Sequence, residues 1–147
     1  MLFIINNQIS SSPVIDLVNE NVSADDLRAA IEDYIISHKQ KTFINGEPAE
    51  VLLVSGLAEA HHQNLAEHLN TAIFRRNDDK AVVKEGTFAN YPMKHCWIQS
   101  GDLIIDLAIK QFADKQLDAP EILRSLCDCQ CFICDNPDNA IYRLYKI

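Results

Sequence analysis

The sequence predicts an α+β fold, with helices packed on a mainly antiparallel β-sheet. Three observations carry this. After Ser23 the apolar residues recur with a helical period, and a second helical pattern fills about 57–74. The C-terminal half instead runs in short apolar or alternating segments broken by turn residues, as strands do. Runs of helix followed by runs of strand belong to the α+β class. At 147 residues the chain has the length of one domain, residues 1–147.

Taken in order, residues 2–5 and 13–18 read as short strands around a polar Asn6–Ser12 turn. Ser23-Ala-Asp-Asp26 resembles a capping box and opens a helix. Leu27, Ala30, Ile31, Tyr34 and Ile35 form its apolar stripe, and it is expected to end near Lys39–Lys41. Asn45-Gly46 is a turn signal. Strand-like Glu50–Val54 runs into Ser55-Gly56, a capping pair for the 57–74 helix, which carries Leu65, Leu69, Ala72 and Ile73 on one stripe. Residues 95–100 and 103–107 form a hairpin. Pro120 starts a short helix to about Leu126. Residues 129–134 and 140–146 alternate like strands, joined by the turn-rich Asp135–Asn139 segment. The chain shows no repeats, low complexity or obvious linker.

A 48% hydrophobic composition supports a core, and folding at this length buries about two thirds of the unfolded surface. The net charge of −8 and a pI near 4.9 argue against nucleic acid or an anionic membrane as partner, since both attract basic patches. The apolar start Met1–Ile5 is too short for a signal peptide and has no basic residues before it. No apolar run reaches membrane-spanning length. These features suggest a cytoplasmic chain, and they leave open export by a machinery that reads no N-terminal peptide. They leave the oligomeric state open.

The chemistry concentrates in the hairpin His95-Cys-Trp-Ile-Gln-Ser-Gly-Asp-Leu-Ile-Ile-Asp106. Gly101-Asp102 suits a two-residue type II′ turn, which wants Gly at its first central position. In that register residue 106 lies opposite residue 97, so Asp106 is a diagonal, same-face neighbour of His95. A carboxylate beside an imidazole fixes its tautomer and favours its charged form. That is two thirds of a nucleophilic triad. A three-residue loop would instead turn Asp106 away from His95.

The string H-C-W-x(7)-I-I-D-L-x(3)-Q-F resembles the His/Asp half of small bacterial transglutaminase-like (papain-like) cysteine enzymes. Upstream, Val82-Val83 and Gly86 fall where that family has a strand ending near a glycine. Gly56-Leu57-Ala58-Glu59, followed by Leu65 and Leu69, falls where it has its nucleophile helix. The resemblance covers about residues 50–112. It implies a papain/transglutaminase-like core and a Cys-His-Asp triad for acyl transfer on a protein or peptide substrate. It implies no organic cofactor and no catalytic metal.

The chain departs from the family at the nucleophile itself, because the family's cysteine falls on Ala58. Alanine cannot form a thioester. Either a cysteine has been replaced to hold an enzyme inert, which the retained His95 and Asp106 favour, or this is a natural pseudoenzyme that binds proteins on the same scaffold. Ala108 also stands where the family usually has threonine, a difference that touches no chemical step.

Position 58 suits a nucleophile on physical grounds too. It shares the stripe of Leu65 and Leu69 and lies in the first helical turn, where free N–H groups and the positive end of the helix dipole lower a thiol's pKa. Those N–H groups could also serve as an oxyanion hole. The plain alternative is a good helix former packed on a sheet.

Four of the five cysteines crowd into Cys127–Cys134, with Cys131 and Cys134 as a CxxC. Core packing, a metal site and redox chemistry are all open to them, and the strand-like context favours packing. His61 and His62 follow position 58 by one turn. They are either cleft-lining or simply partly exposed. Cys96 faces away from His95 on its strand and is a poor nucleophile. Trp97 shares the His95 face, as shield or as core. Gln99 and Gln111 are amides that could stabilise an oxyanion.

Overall fold

Ser23 caps the first helix as its sequence suggests: its hydroxyl accepts from the Asp26 N–H at 3.1 Å. The computed structural model describes residues 2–5, 8–10, 22–52, 57–77, 80–101, 103–112, 129–135 and 142–144. The elements are β1 (Leu2–Ile5), β2 (Gln8–Ser10), α1 (Ala24–His38), β3 (Gln40–Ile44), β4 (Glu47–Val51), α2 (Ala58–Ala72), β5 (Val82–Phe88), β6 (His95–Ser100), β7 (Leu103–Asp106), a 3-10 helix (Ile109–Phe112), β8 (Cys129–Asp135) and β9 (Tyr142–Leu144).

Seven of the described strands form one sheet in the order β2-β1-β8-β7-β6-β5-β9. Only the β1–β8 pairing among them is parallel. β3 and β4 form a separate hairpin around Asn45 and Gly46. Both turn residues have positive φ, 52° and 82°, as a type I′ turn requires. The fold is therefore α+β with a mainly antiparallel sheet, as expected.

The two faces of the sheet differ. Leu27, Ile31 and Ile35 of α1 and Leu65 and Leu69 of α2 pack in one core with Ile98, Ile105 and Ile133. Side chains alternate along strands, so Trp97, Asp106 and Phe132 lie on the opposite face. Asn70 ties α2 to the entry of β5: its amide donates to the Ala81 carbonyl at 2.9 Å and accepts from the Ala81 N–H at 2.7 Å.

Several boundaries depart from expectation. Residues 8–10, expected as polar turn, pair with β1, because backbone pairing is indifferent to side-chain polarity. The helix after Ser23 stops at His38, and Gln40–Ile44 instead form β3, a strand that the sequence pattern did not mark. β4 begins at Glu47 rather than Glu50 and belongs to the separate hairpin. The second helix is shorter than 57–74. Its N-cap is Leu57, without a side-chain cap bond, and Ala72 is exposed because the stripe drifts off the core at the last turn. β7 ends at Asp106, one residue early. β9, Tyr142–Leu144, falls inside the expected 140–146 strand, whose other residues lie outside the described ones. The expected strand at 13–18, the pair Ser55-Gly56, the helix from Pro120, the Asp135–Asn139 turn beyond its first residue, and Cys127 lie outside the described residues.

Candidate active site

The hairpin has the two-residue register. Ser100 faces Leu103 and Ile98 faces Ile105, which sets Asp106 opposite Trp97. Gly101 takes a φ of 60° in the turn. His95 and Asp106 consequently share a face and meet: Nε2 lies 2.6 Å from Oδ2. Both are buried, Asp106 completely. At this distance the ring N–H donates to an ionised carboxylate, a strong, short class of hydrogen bond.

Asp106 is the hub. The Tyr142 hydroxyl donates to Oδ2 at 2.8 Å, and the Ala108 N–H donates to Oδ1 at 2.8 Å. Burial alone would raise this carboxyl. The charge and hydrogen bond of His95, the nearby His62 and the Tyr142 hydroxyl outweigh it and hold Asp106 below the usual carboxylate range.

The chain then folds back over the ring. The Asp106–Ala108 contact starts a tight turn that leads into the 3-10 helix. From there the Gln111 amide donates to His95 Nδ1 at 3.1 Å, and Phe112 sets its ring edge-on to the imidazole, 4.9 Å between centroids. Phe88 stacks on Phe112, and Tyr142 packs against Phe88 and Trp97. Trp97 is fully buried and its ring N–H donates to the Gln99 side-chain carbonyl, while the Gln99 amide donates to the Gly101 carbonyl. Gln99 thus serves the hairpin, and Gln111 serves His95. Gly86 permits this packing: a Cβ there would collide with the Arg143 carbonyl and come within 2.8 Å of the Trp97 ring.

On the helical face a second histidine approaches the same carboxylate. His62 is fully buried, with Nε2 3.9 Å from Asp106 Oδ1. Nε2 accepts from the Leu107 N–H at 3.0 Å. The ring's N–H is therefore on Nδ1, shared by the Ala58 carbonyl and the Cys96 sulfur, the latter at 3.4 Å. Burial, opposed by Asp106, pushes His62 down to about 4, so the ring is neutral at neutral pH. Burial and the Asp106 charge push the Cys96 thiol up to about 11. This thiol is inert, as its side of the strand implied.

Sequence reasoning missed His62 as a structural residue. Two adjacent histidines look alike on paper, but only His61 is partly exposed, its Nδ1 2.8 Å from the Tyr34 hydroxyl. The available signal was spacing: His62 is three residues before Leu65 and seven before Leu69, on the buried stripe.

Ala58 is the first residue of α2 and half-buried. Its helix packs on the face opposite to His95, and the imidazole nitrogen not taken by Asp106 faces Gln111 rather than Ala58. α2 does reach the end of the sheet where β6 begins and β7 stops: the Ala58 carbonyl and Cys96 meet the same His62 nitrogen.

Among the described residues no group of three or more His, Cys, Asp or Glu is arranged to hold a metal. Cys131 lies in the helix-facing core and forms no disulfide, which fits packing. An open groove of about 830 Å³ on the β3–β4 hairpin is lined by Lys41, Thr42, Phe43, Pro48, Ala49 and Glu50, none of them a residue of the His95 site. No described helix is long and apolar enough to cross a membrane. Searches of protein-family models, curated proteins and solved structures find no match to this chain.

Proposed function

We propose that this chain is the scaffold of a thiol-dependent acyl-transfer enzyme of the transglutaminase-like type, with Ala58 standing where the nucleophilic cysteine belongs. The observation that carries this reading is the buried His95–Asp106 pair at 2.6 Å, oriented further by Tyr142. A buried, hydrogen-bonded carboxylate that fixes an imidazole is the arrangement a general base requires. With a cysteine at 58, His95 Nδ1 accepts the thiol proton and the sulfur attacks an amide or ester carbonyl of a protein or peptide. His95 then protonates the leaving group, and water or an amine opens the thioester. Hydrolysis, deamidation and transamidation differ only in that last acceptor.

The molecule with Ala58 is inert in this chemistry. A cysteine codon at 58 in the natural coding sequence would make the alanine a replacement. A natural alanine would favour a pseudoenzyme that serves as a protein-binding module, and the half-buried methyl at 58 is the observation behind that second reading.

The test is acyl-enzyme formation. Ala58→Cys, mixed with a nitrophenyl ester, should gain one acyl group at position 58 by intact mass and peptide mapping. Ala58→Cys with His95→Ala should gain it far more slowly. Acylation absent at 58, or indifferent to His95, would leave the binding-module reading in its place.

A further inference from the structure

Both ring nitrogens of His95 are held by one short segment. Asp106 takes Nε2 through Oδ2, and its Oδ1 holds the Ala108 N–H. The Gln111 N–H donates to the Ala108 carbonyl at 3.3 Å, and the Gln111 side chain returns to Nδ1 at 3.1 Å. Phe112 anchors the segment by stacking on Phe88, 4.7 Å between centroids. The backbone under Gln111 is thus fixed, while Gln111 itself is exposed.

An amide nitrogen can only donate. Where it faces Nδ1, that nitrogen must carry its lone pair, and the ring's proton sits on Nε2 toward Asp106. We propose that Gln111 is a positioning residue: it reinforces the Nε2–H tautomer that Asp106 sets and occupies the nitrogen to which a thiol at 58 must hand its proton. The consequence for the thiol rests on the acyl-transfer reading; the hold on the tautomer does not.

Gln111 therefore competes with the nucleophile in the resting site and withdraws its N–H donor when the thiol's proton arrives on Nδ1. Its terminal amide turns about a soft torsion, and a half-turn presents the carbonyl oxygen to a protonated Nδ1. An exposed side chain makes that exchange with little packing lost. The arrangement selects the tautomer that can accept a proton on the open side of the ring.

Ring 15N shifts of His95, measured near neutral pH on the chain with Ala58, test the hold directly. Nδ1 should be bare and Nε2 protonated. The Nδ1 signal should move toward the protonated position in Gln111→Met, which loses the donor, and further in Gln111→Glu, which accepts from Nδ1–H. A purely structural role gives no such order. A protonated Nδ1 in the parent, or a signal blind to both substitutions, overturns the proposal.

In the Ala58→Cys background, Gln111→Met should speed iodoacetamide labelling of the new thiol roughly 2- to 10-fold, the worth of one neutral hydrogen bond. A reactive thiol whose rate ignores Gln111 overturns the competition and spares the acyl-transfer reading. An unreactive thiol with the ordered 15N shifts sinks that reading and supports the hold on the ring.

Discussion

Asp106 has a histidine on either side of the sheet, and the two are built for opposite ends. His62, on the helical face, spends Nε2 on the backbone of Leu107 and Nδ1 on Ala58 and Cys96, with no exposure to solvent. His95 spends Nε2 on Asp106 and, among the described residues, gives Nδ1 to an exposed glutamine. The thiol next to His62 is deactivated, its pKa pushed up to about 11 by burial and by Asp106. A His, a Cys and an Asp in proximity are therefore no evidence of catalysis. What matters is whether one imidazole nitrogen can be exchanged while the other is fixed.

The strongest way to break the comparison is to remove its shared hub. Asp106→Ala strips the carboxylate from His95, Tyr142 and the Ala108 N–H at once. Leaving such buried partners unpaired should cost about 3–5 kcal/mol, read from urea unfolding at neutral pH. A cost under about 1 kcal/mol would mean that the site is more hydrated than its burial implies.

Lowering pH should break the His62 side first. His62 is depressed from 6.5 to about 4 in the fold, so the unfolded chain binds more protons between those values. Stability is fully present above about pH 6.5 and falls as pH drops to about 4, by about 3 kcal/mol in all. The depressed Asp106 adds a further loss in the same direction at still lower pH. His62→Gln should flatten the curve between pH 6.5 and 4. An equally steep curve in that variant would remove His62 as the cause.

Tyr142→Phe acts on the other face alone. It deletes one hydroxyl donor from the buried carboxylate and should cost about 1.5–3 kcal/mol, the range for a hydrogen bond to a charged group. The loss should be visible in Tm, with the Asp106 carboxyl raised. The smallest expected effect concerns Cys96. Its thiol should resist iodoacetamide in the native fold at pH 8, and stability should fall only as pH rises from 9 toward 11, where the unfolded thiol ionises and the folded one does not. Rapid native-state labelling of Cys96 would contradict its deactivation.

The pairing of His95 with Asp106 was legible in the sequence; for His62 the spacing showed a buried face but not its partners. Gly101-Asp102 between two apolar runs sets a two-residue turn, and the turn sets the register that joins His95 to Asp106. The α1 stripe was equally plain, because all five of its named residues face one core. β3 escaped because Gln40, Lys41 and Phe43 are exposed in a hairpin of its own, so its residues show no clear alternation between core and solvent. The stripe of Leu65 and Leu69 signalled that His62 is buried, but its partner, a backbone N–H 45 residues away, is announced by no local pattern. Which face of the sheet α2 covers was hidden for the same reason.

The central claim is that the His95–Asp106 pair serves a nucleophile at position 58, and iodoacetamide kinetics near neutral pH measure it most directly. Ala58→Cys should label faster than a free model thiol and faster than the five existing cysteines. Adding His95→Ala should slow that labelling, and Asp106→Asn should slow it less. A new thiol that labels no faster than the free thiol, or that ignores His95→Ala, would contradict the claim.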